Sequence, residues 1–161
     1  MTRAYLGLGS NQGDRVALLN AALERLEASG RVRVTKRSSL YETAPVGLTE
    51  QPRFVNLAAE VETDLDPLDL LELVLAAERD LGRVRTNRWR PRTVDIDILM
   101  YDDVQVDTPV LAIPHPEMTR RRFVLEPLLE VAPDAALPDG RRLASFLPEV
   151  RDQDVQKVSS A

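Results

Sequence analysis

The stretch RWRPRTVDIDILMYDD, residues 88–103, contains the strand on which the predicted fold is built. Every second residue after Thr93 is apolar: Val94, Ile96, Ile98 and Met100. This period of two predicts a β-strand that directs these four side chains into a core. Asp95 and Asp97 fall on the opposite side, about 7 Å apart. Because two unpaired carboxylates at that spacing repel each other, we expect them to bind one or two cations.

The elements around this strand predict an α+β, ferredoxin-like domain. Strands are expected at residues 3–9, 32–41 and 54–62, and helices at residues 14–28 and 66–82. Asp14 is the expected N-cap of the first helix, and Asp66-Pro67 starts the second. The apolar stripe of the first helix is expected to contain Val16, Leu19, Leu23 and Leu26. The order β-α-β-β-α-β predicts an antiparallel sheet with both helices on one face, leaving Asp95 and Asp97 on an open face.

The rest of the chain is expected to complete a single domain, residues 1–150. The segment LAIPHPEM predicts a short strand, and residues 123–131 predict a helix. Residues 151–161 are expected to form a frayed C-terminal tail. The eleven residues TAPVGLTEQPR, residues 43–53, are longer than an ordinary hairpin loop, so this segment is a candidate for binding or gating.

Composition narrows the classes of function. The chain has 161 residues, no cysteine and a net charge of −5, and it lacks an apolar segment long enough to cross a membrane, so we expect a soluble, cytoplasmic protein. Its basic residues are 19 arginines and 2 lysines, six of these arginines lying within residues 79–92. Such concentrated guanidinium groups on an acidic protein favour a compact polyanion, such as a nucleotide, over nucleic acid. Solvated surface is the alternative interpretation of these arginines.

Several motifs allow more than one interpretation. GLGSNQG, residues 7–13, has the wrong spacing for a dinucleotide fingerprint, and a tight turn is expected there. No GxxxxGK[ST] motif is present, so ATP chemistry would depend on Mg²⁺ and arginines. The aspartates of the D-x-D strand could also discourage sheet-edge pairing. Trp89 could cap a flat ring or anchor its loop, and His115 could donate to a phosphate or stabilise a turn.

Two rival functions fit parts of this pattern. A nucleotidyltransferase also pairs a Gly-Ser turn with D-x-D, but Gly9-Ser10 precedes Asp95 by more than eighty residues. A ferredoxin-like RNA-binding module would use the arginines, but its sheet would carry a run of aromatic residues that these strands lack.

Six segments together resemble the 6-hydroxymethyl-7,8-dihydropterin pyrophosphokinase family. They are GLGSNQGD, YETAPVG, QPRFVNLA, GRVRTNRWRPRTVDIDIL, IPHPEM and RRFVLEPLLEVAP, in this order, and the resemblance covers residues 4 to about 146. The resemblance implies a folate-biosynthesis enzyme that transfers pyrophosphate from ATP to a reduced pterin, giving AMP. It also implies small-molecule substrates, with no nucleic acid or membrane as partner, and we expect a monomer.

The resemblance assigns roles to individual residues. Two Mg²⁺ ions would bind Asp95 and Asp97, which with Arg83 and Arg92 would form the catalytic set. The residues implied for ATP binding are Leu71, Glu78, Arg83, Arg85, Arg92, Ile98, Leu111, Ala112, His115 and Arg121. The residues implied for pterin binding are Thr43, Val46, Phe54, Asn56, Trp89 and Phe123. No residue stands out as a general base.

Overall fold

The structure is a computed structural model that describes residues 1–11, 13–43, 53–83 and 94–159, with the backbone alone at Arg83 and Ser159. Its strands are β1 (Thr2–Ser10), β2 (Val32–Arg37), β3 (Leu40–Thr43), β4 (Phe54–Thr63), β5 (Asp95–Tyr101), β6 (Val106–Asp107), β7 (Ala112–Ile113) and β8 (Val155–Ser159). Its α-helices are α1 (Arg15–Ala28), α2 (Pro67–Arg83) and α3 (Arg122–Val131). Two 3₁₀ helices, Met118–Arg120 and Leu143–Val150, flank α3.

The main sheet is antiparallel and has the strand order β5-β1-β4-β3-β8, with β2 also paired to β4. Strand β4 is long enough to pair with β1 along one edge and with both β2 and β3 along the other. This arrangement confirms the ferredoxin-like prediction. The single strand predicted over residues 32–41 is interrupted because Ser38 bonds to Ala58 through both its amide N–H and its hydroxyl oxygen.

Helices α1 and α2 cover one face of this sheet, as predicted. Both begin at the expected caps, since the Asp14 carboxylate accepts from the amide of Ala17 and the Asp66 carboxylate from that of Asp69. The core under them contains Val94, Ile96 and Ile98 from the segment of β5, together with Leu19, Leu23 and Leu26 from α1. The prediction for Val16 is wrong, because this residue is 39% exposed. Ala22 of the same helix is buried.

Met100 does not join this core, which corrects the prediction. The pairing register of β5 shifts next to Leu99, because Leu6 lies opposite Ile98 whereas Tyr5 lies opposite Met100. One extra residue in a strand reverses the alternation that follows it. Leu99 and Met100 therefore pack in a second core on the other face of the sheet.

This second core shows that the face carrying the aspartates is only partly open. Helix α3 and the two 3₁₀ helices cover it at the Leu99 end, burying Met118, Leu125, Leu128 and Leu143 completely. Asp95 and Asp97 lie toward the opposite end of β5, beside the part of the sheet that α3 leaves accessible.

The predicted frayed tail does not hold for Val155–Ser159. These residues form β8, which pairs antiparallel with β3 and adds a strand to the edge of the main sheet. The sequence VQKVS has no strong apolar alternation that would predict a strand. Its strand structure comes from backbone pairing with β3.

Glu130 joins α3 to β3 and thereby holds the last turn of α3 against the sheet. Its carboxylate accepts hydrogen bonds from the Ser39 amide at 2.8 Å, the Ser39 hydroxyl at 2.9 Å and the Tyr41 hydroxyl at 2.6 Å. Burial alone would raise the pKa of Glu130, but the hydrogen bonds from Tyr41 and Ser39 outweigh it and lower that pKa below its usual value.

We expect Glu130→Gln to lower the free energy of unfolding at pH 7 by about 1 kcal/mol, a value discounted for the solvent exposure of this side chain. A lowered carboxyl pKa contributes stability above the pKa of the unfolded state, about 4.3, and this contribution disappears as the pH falls through the folded pKa. Urea titrations at pH 7 and pH 3 should therefore show a difference from wild type that shrinks in acid. Glu149→Gln, at an exposed position, is the matched control. If Glu130→Gln lost the same free energy of unfolding at pH 7 and pH 3, the stabilising role of the Glu130 carboxylate would be contradicted.

Candidate functional site

The accessible end of the sheet aligns residues from four strands in one row. Asp95 on β5 lies opposite Gly9 on β1, Gly9 lies opposite Asn56 on β4, and Asn56 lies opposite Tyr41 on β3. Directly opposed residues of antiparallel strands point their side chains to the same face. The row therefore presents a carboxylate, an amide and a phenol on the face opposite α1 and α2.

Gly9 leaves room within this row for the side chain of Asn56. A Cβ atom at Gly9 would lie 2.6 Å from the Asn56 Oδ1 atom, closer than real Cβ contacts allow. Gly7, which lies opposite Asp97, has looser surroundings, and a Cβ there would meet the Leu99 side chain at 3.4 Å. We expected Gly9 to begin a turn, but β1 continues through Ser10, so its role is close packing within the strand.

A cavity of about 450 Å³ lies over this part of the sheet. It brings together seven of the predicted site residues: Thr43, Phe54, Asn56, Asp95, Asp97, Arg121 and Phe123. Most of its lining is apolar, and the aspartates lie beside that apolar surface. A flat ring with a polar substituent directed at the aspartates is the kind of ligand that such a lining suits.

Asn56 is a buried polar residue of this cavity. Asn56 is only 5% exposed. Its Nδ2 atom has no hydrogen-bond partner among the described residues. Burying an amide without a partner costs roughly 1–3 kcal/mol. A ligand acceptor would remove that cost, so Asn56 marks the cavity as a binding site.

His115 lies beside Asp97, with 3.9 Å between its Nε2 atom and the Asp97 Oδ1 atom. Its Nδ1 atom accepts a hydrogen bond from the Glu117 amide at 3.2 Å, which places the proton of a neutral ring on Nε2. Neutral His115 thus presents a donor toward Asp97 and has no lone pair available there to take a proton.

Arg121 and Phe123 enter the cavity from the start of α3. The Arg121 guanidinium carbon lies 5.8 Å from the centroid of the Phe123 ring, close enough for a cation–π contact. The stack places a positive charge on the same side of the cavity as an aromatic wall.

The other residues predicted for the nucleotide are not among the described residues that line this cavity. Ile98 and Leu111 are buried, and Leu71 is partly buried against the same core. The Glu78 carboxylate accepts a hydrogen bond at 2.7 Å from the amide of Ile96, the residue between the two aspartates. Glu78 therefore holds the β5 backbone where the carboxylates project. Ala112 lies half-buried in β7.

Part of the predicted site lies outside the described residues. This applies to Val46, Arg85, Trp89 and Arg92, and to the side chain of Arg83. Their assigned roles stay predictions.

Sequence reasoning missed one side of the cavity. Gln153, Asp154 and Val155 line it, although they lie in the segment expected to be frayed. Their proximity to Thr43 arises from the pairing of β8 with β3, which no local motif signals. The two glycines of β1, Gly7 and Gly9, were the signal in the sequence that another side chain packs closely against this strand.

Two other kinds of site are absent from the described part of the chain. The described residues contain no group of three or more His, Cys, Asp or Glu side chains arranged to hold a metal ion. They also contain no helix with the length and apolar character needed to cross a bilayer.

Comparison with known proteins identifies the family that this arrangement resembles. Residues 5–133 match the family model described as 7,8-dihydro-6-hydroxymethylpterin-pyrophosphokinase (HPPK). A 2-amino-4-hydroxy-6-hydroxymethyldihydropteridine pyrophosphokinase from Methylorubrum extorquens is 46% identical, covering 98% of this chain and 99% of that protein. A protein of the same name from Pseudomonas aeruginosa is 43% identical, covering 99% of this chain and 98% of that protein.

Solved structures show a similar fold. The Plasmodium falciparum HPPK-DHPS crystal structure with pteroate superposes with a TM-score of 0.72 at 17% identity, covering 92% of this chain. This chain spans less than half of that larger protein, 42% of its length. At this level of identity the likeness supports the fold alone.

We expect Gly9→Ala to displace the Asn56 side chain and to lower the free energy of unfolding by about 1–3 kcal/mol, because the added methyl group overpacks a confined site. Gly7→Ala is the matched control, since its new methyl group meets only ordinary contacts. Urea denaturation gives the stability, and the NMR signals of the Asn56 side-chain amide report its displacement. Unchanged amide signals in Gly9→Ala would contradict the packing role.

Proposed function

The chain belongs to the 7,8-dihydro-6-hydroxymethylpterin-pyrophosphokinase family, and on this premise we propose how its residues carry out the family's reaction. The enzyme transfers pyrophosphate from ATP to the hydroxymethyl group of 6-hydroxymethyl-7,8-dihydropterin, a step of folate biosynthesis. ATP is its co-substrate. The side chains of the site would divide their roles among the pterin, the metal ions and the triphosphate.

One observation supports the assignment most strongly: the lining of the apolar cavity contains two carboxylates, Asp95 and Asp97, and the buried amide of Asn56, whose nitrogen has no hydrogen-bond partner in the part of the chain that the structure describes. The pterin ring is flat and rich in hydrogen-bonding atoms, and its hydroxymethyl group is the nucleophile. The ring would occupy the apolar part, with its hydroxymethyl group directed at the aspartates.

Four described residues would bind the pterin. Phe54 and Phe123 would stack on the two faces of the ring, because aromatic rings offset on each other gain contact area and favourable electrostatics. Asn56 would donate a hydrogen of its side-chain amide to a ring acceptor, and Thr43 would contribute a backbone group. Val46 and Trp89 are proposed to complete this site.

Asp95 and Asp97 would hold Mg²⁺, with two ions expected. Both carboxylates project from β5 to the cavity, and Asp97 is half exposed. Because the described residues offer no third acidic, His or Cys ligand in a cluster, the protein supplies few ligands, and water and phosphate oxygens would supply the others. Mg²⁺ is commonly held in this way beside nucleotide phosphates. When bound, it would act as a Lewis acid toward those phosphates.

The remaining residues would position the triphosphate. Arg121 carries its charge into the cavity, and the Nε2–H group of His115 points to the same region as Asp97. Arg83, Arg85 and Arg92 are proposed to add guanidinium groups around the phosphates.

The adenosine would lie beside Ile98 and Leu111. Both residues are buried, so they would contact the adenosine through their backbone or through small exposed parts of their side chains. Leu71, Glu78 and Ala112 are proposed to border the same adenosine site.

Positioning and electrostatic stabilisation would account for most of the rate. The hydroxyl oxygen of the pterin attacks the β-phosphorus of ATP in line, a new P–O bond forms, and AMP leaves with the oxygen that joined the α- and β-phosphorus atoms. Since neutral His115 has its proton on Nε2, it would stabilise charge and not remove the hydroxyl proton.

We further propose that the enzyme works in the cytoplasm as a monomer, without nucleic acid or a membrane as partner. Support comes from the absence of cysteine and from the net charge of −5, which disfavours association with polyanionic nucleic acid.

We expect Asp95→Asn and Asp97→Asn each to lower kcat by at least about 10²-fold, since each removes charge that stabilises the transferring group. The melting temperature should change little for Asp97→Asn, because that side chain is half exposed. Steady-state AMP production across a Mg²⁺ titration, together with thermal melting, measures both effects. Asp107→Asn, at an exposed position on β6, is the matched control. A variant with the wild-type rate at ordinary Mg²⁺ would refute the assignment of its aspartate.

A further inference from the structure

The cavity has a wall to which the proposed reaction assigns no part. Gln153, Asp154 and Val155 form it. We call residues 151–155 the strap, which follows the 3₁₀ helix Leu143–Val150 and leads into β8. The contacts of the strap connect it to the start of α3, which carries Phe123, and to Arg53, the residue directly before Phe54.

One set of contacts fixes the strap to the start of α3, next to Phe123. The Gln153 side-chain oxygen accepts from the Arg122 amide at 2.9 Å, and the Gln153 side-chain nitrogen donates to the Arg120 carbonyl at 2.9 Å. The Arg122 guanidinium donates to the carbonyls of Arg151 at 2.8 Å and Gln153 at 2.9 Å. These bonds hold both the side chain of Gln153 and the strap backbone against α3.

A second set of contacts fixes the strap to β3 and to Arg53, next to Phe54. Val155 pairs with Thr43, which in turn pairs with Phe54, so the three residues continue one row across three strands. The Asp154 carboxylate lies 3.3 Å from the guanidinium of Arg53, the residue directly before Phe54.

Arg53 is itself held by its neighbours. Its guanidinium lies 4.0 Å from the Glu42 carboxylate, and the same carboxylate lies 3.0 Å from Arg15. Arg15 also donates to the Arg53 carbonyl at 2.7 Å. Asp154 therefore ties the strap to a side chain whose backbone and charged group are both restrained.

Building on the proposed function, we propose that the strap braces Phe54 against Phe123 and that Gln153 and Asp154 are positioning residues for the pterin. A flat ring stacks on two walls only when their separation is held close to the productive value. These walls belong to β4 and α3, and the strap is bonded to the start of α3 and to Arg53, the residue directly before β4. Loosening the strap at Asp154 weakens pterin binding and leaves the triphosphate contacts in place. Loosening it at Gln153 also releases Arg120 and Arg122, the two neighbours of Arg121, so the triphosphate contact of Arg121 changes as well.

The test compares Asp154→Asn with Asp152→Asn, which removes the same charge at an exposed neighbouring position. Because the Asp154–Arg53 pair is partly exposed, we expect Asp154→Asn to raise the KM for 6-hydroxymethyl-7,8-dihydropterin about fivefold, with kcat and the KM for ATP within about twofold of wild type. Asp154→Glu should recover most of the loss. Gln153→Ala, which removes two side-chain hydrogen bonds to α3, should shift the same constant in the same direction.

Each alternative result decides against the brace. An unchanged pterin KM in both Asp154→Asn and Gln153→Ala would overturn it. An equal rise in the KM for ATP in Asp154→Asn, or an equal effect of Asp152→Asn on the pterin KM, would also overturn it. If these variants had a lower melting temperature but a normal KM for the pterin, the strap would stabilise the fold without positioning the pterin. Wild-type turnover of ATP and the pterin to AMP is measured first, so that failure of the proposed function is distinguishable from failure of the brace.

Discussion

The pairing of β1 with β5 and β4 is the constraint on which the site depends. It places Asp95, Gly9 and Asn56 in one row across three strands and turns that row away from α1 and α2. A slip of one residue would send both aspartates into an apolar core and expose Ile96 and Ile98. The burial of those two side chains therefore selects the register that presents the carboxylates.

The same sheet face serves two purposes along its length. Near Leu99 it packs under α3 and forms the second core, and near Asp95 it forms the floor of the cavity. The register shift beside Leu99 makes this division possible, because it turns Met100 as well as Leu99 toward α3. Helix α3 then brings Arg121 and Phe123 to the rim. Packing at one end of the sheet thus determines the arrangement of side chains at the other.

Much of this could be predicted from the sequence, and the failures have physical causes. The period of two around Asp95 and the caps at Asp14 and Asp66 are local signals, and the structure agrees with them. Resemblance to the family found Thr43, Phe54, Asn56 and Phe123, and the structure gathers them in one cavity with the aspartates. The shift at Met100, the pairing of β8 and the fit of Asn56 over Gly9 depend on contacts between distant segments, which local patterns do not contain.

We propose that this cavity directs attack on the β-phosphorus of ATP. This claim is tested most directly by incubating the protein with ATP labelled with ³²P at the β-position and with 6-hydroxymethyl-7,8-dihydropterin, with and without Mg²⁺, and identifying the products by chromatography and mass spectrometry. We expect unlabelled AMP and a labelled pterin diphosphate in equal amounts, only when Mg²⁺ is present. Formation of ADP with a pterin monophosphate, or equal turnover in the presence of a chelator, would contradict it.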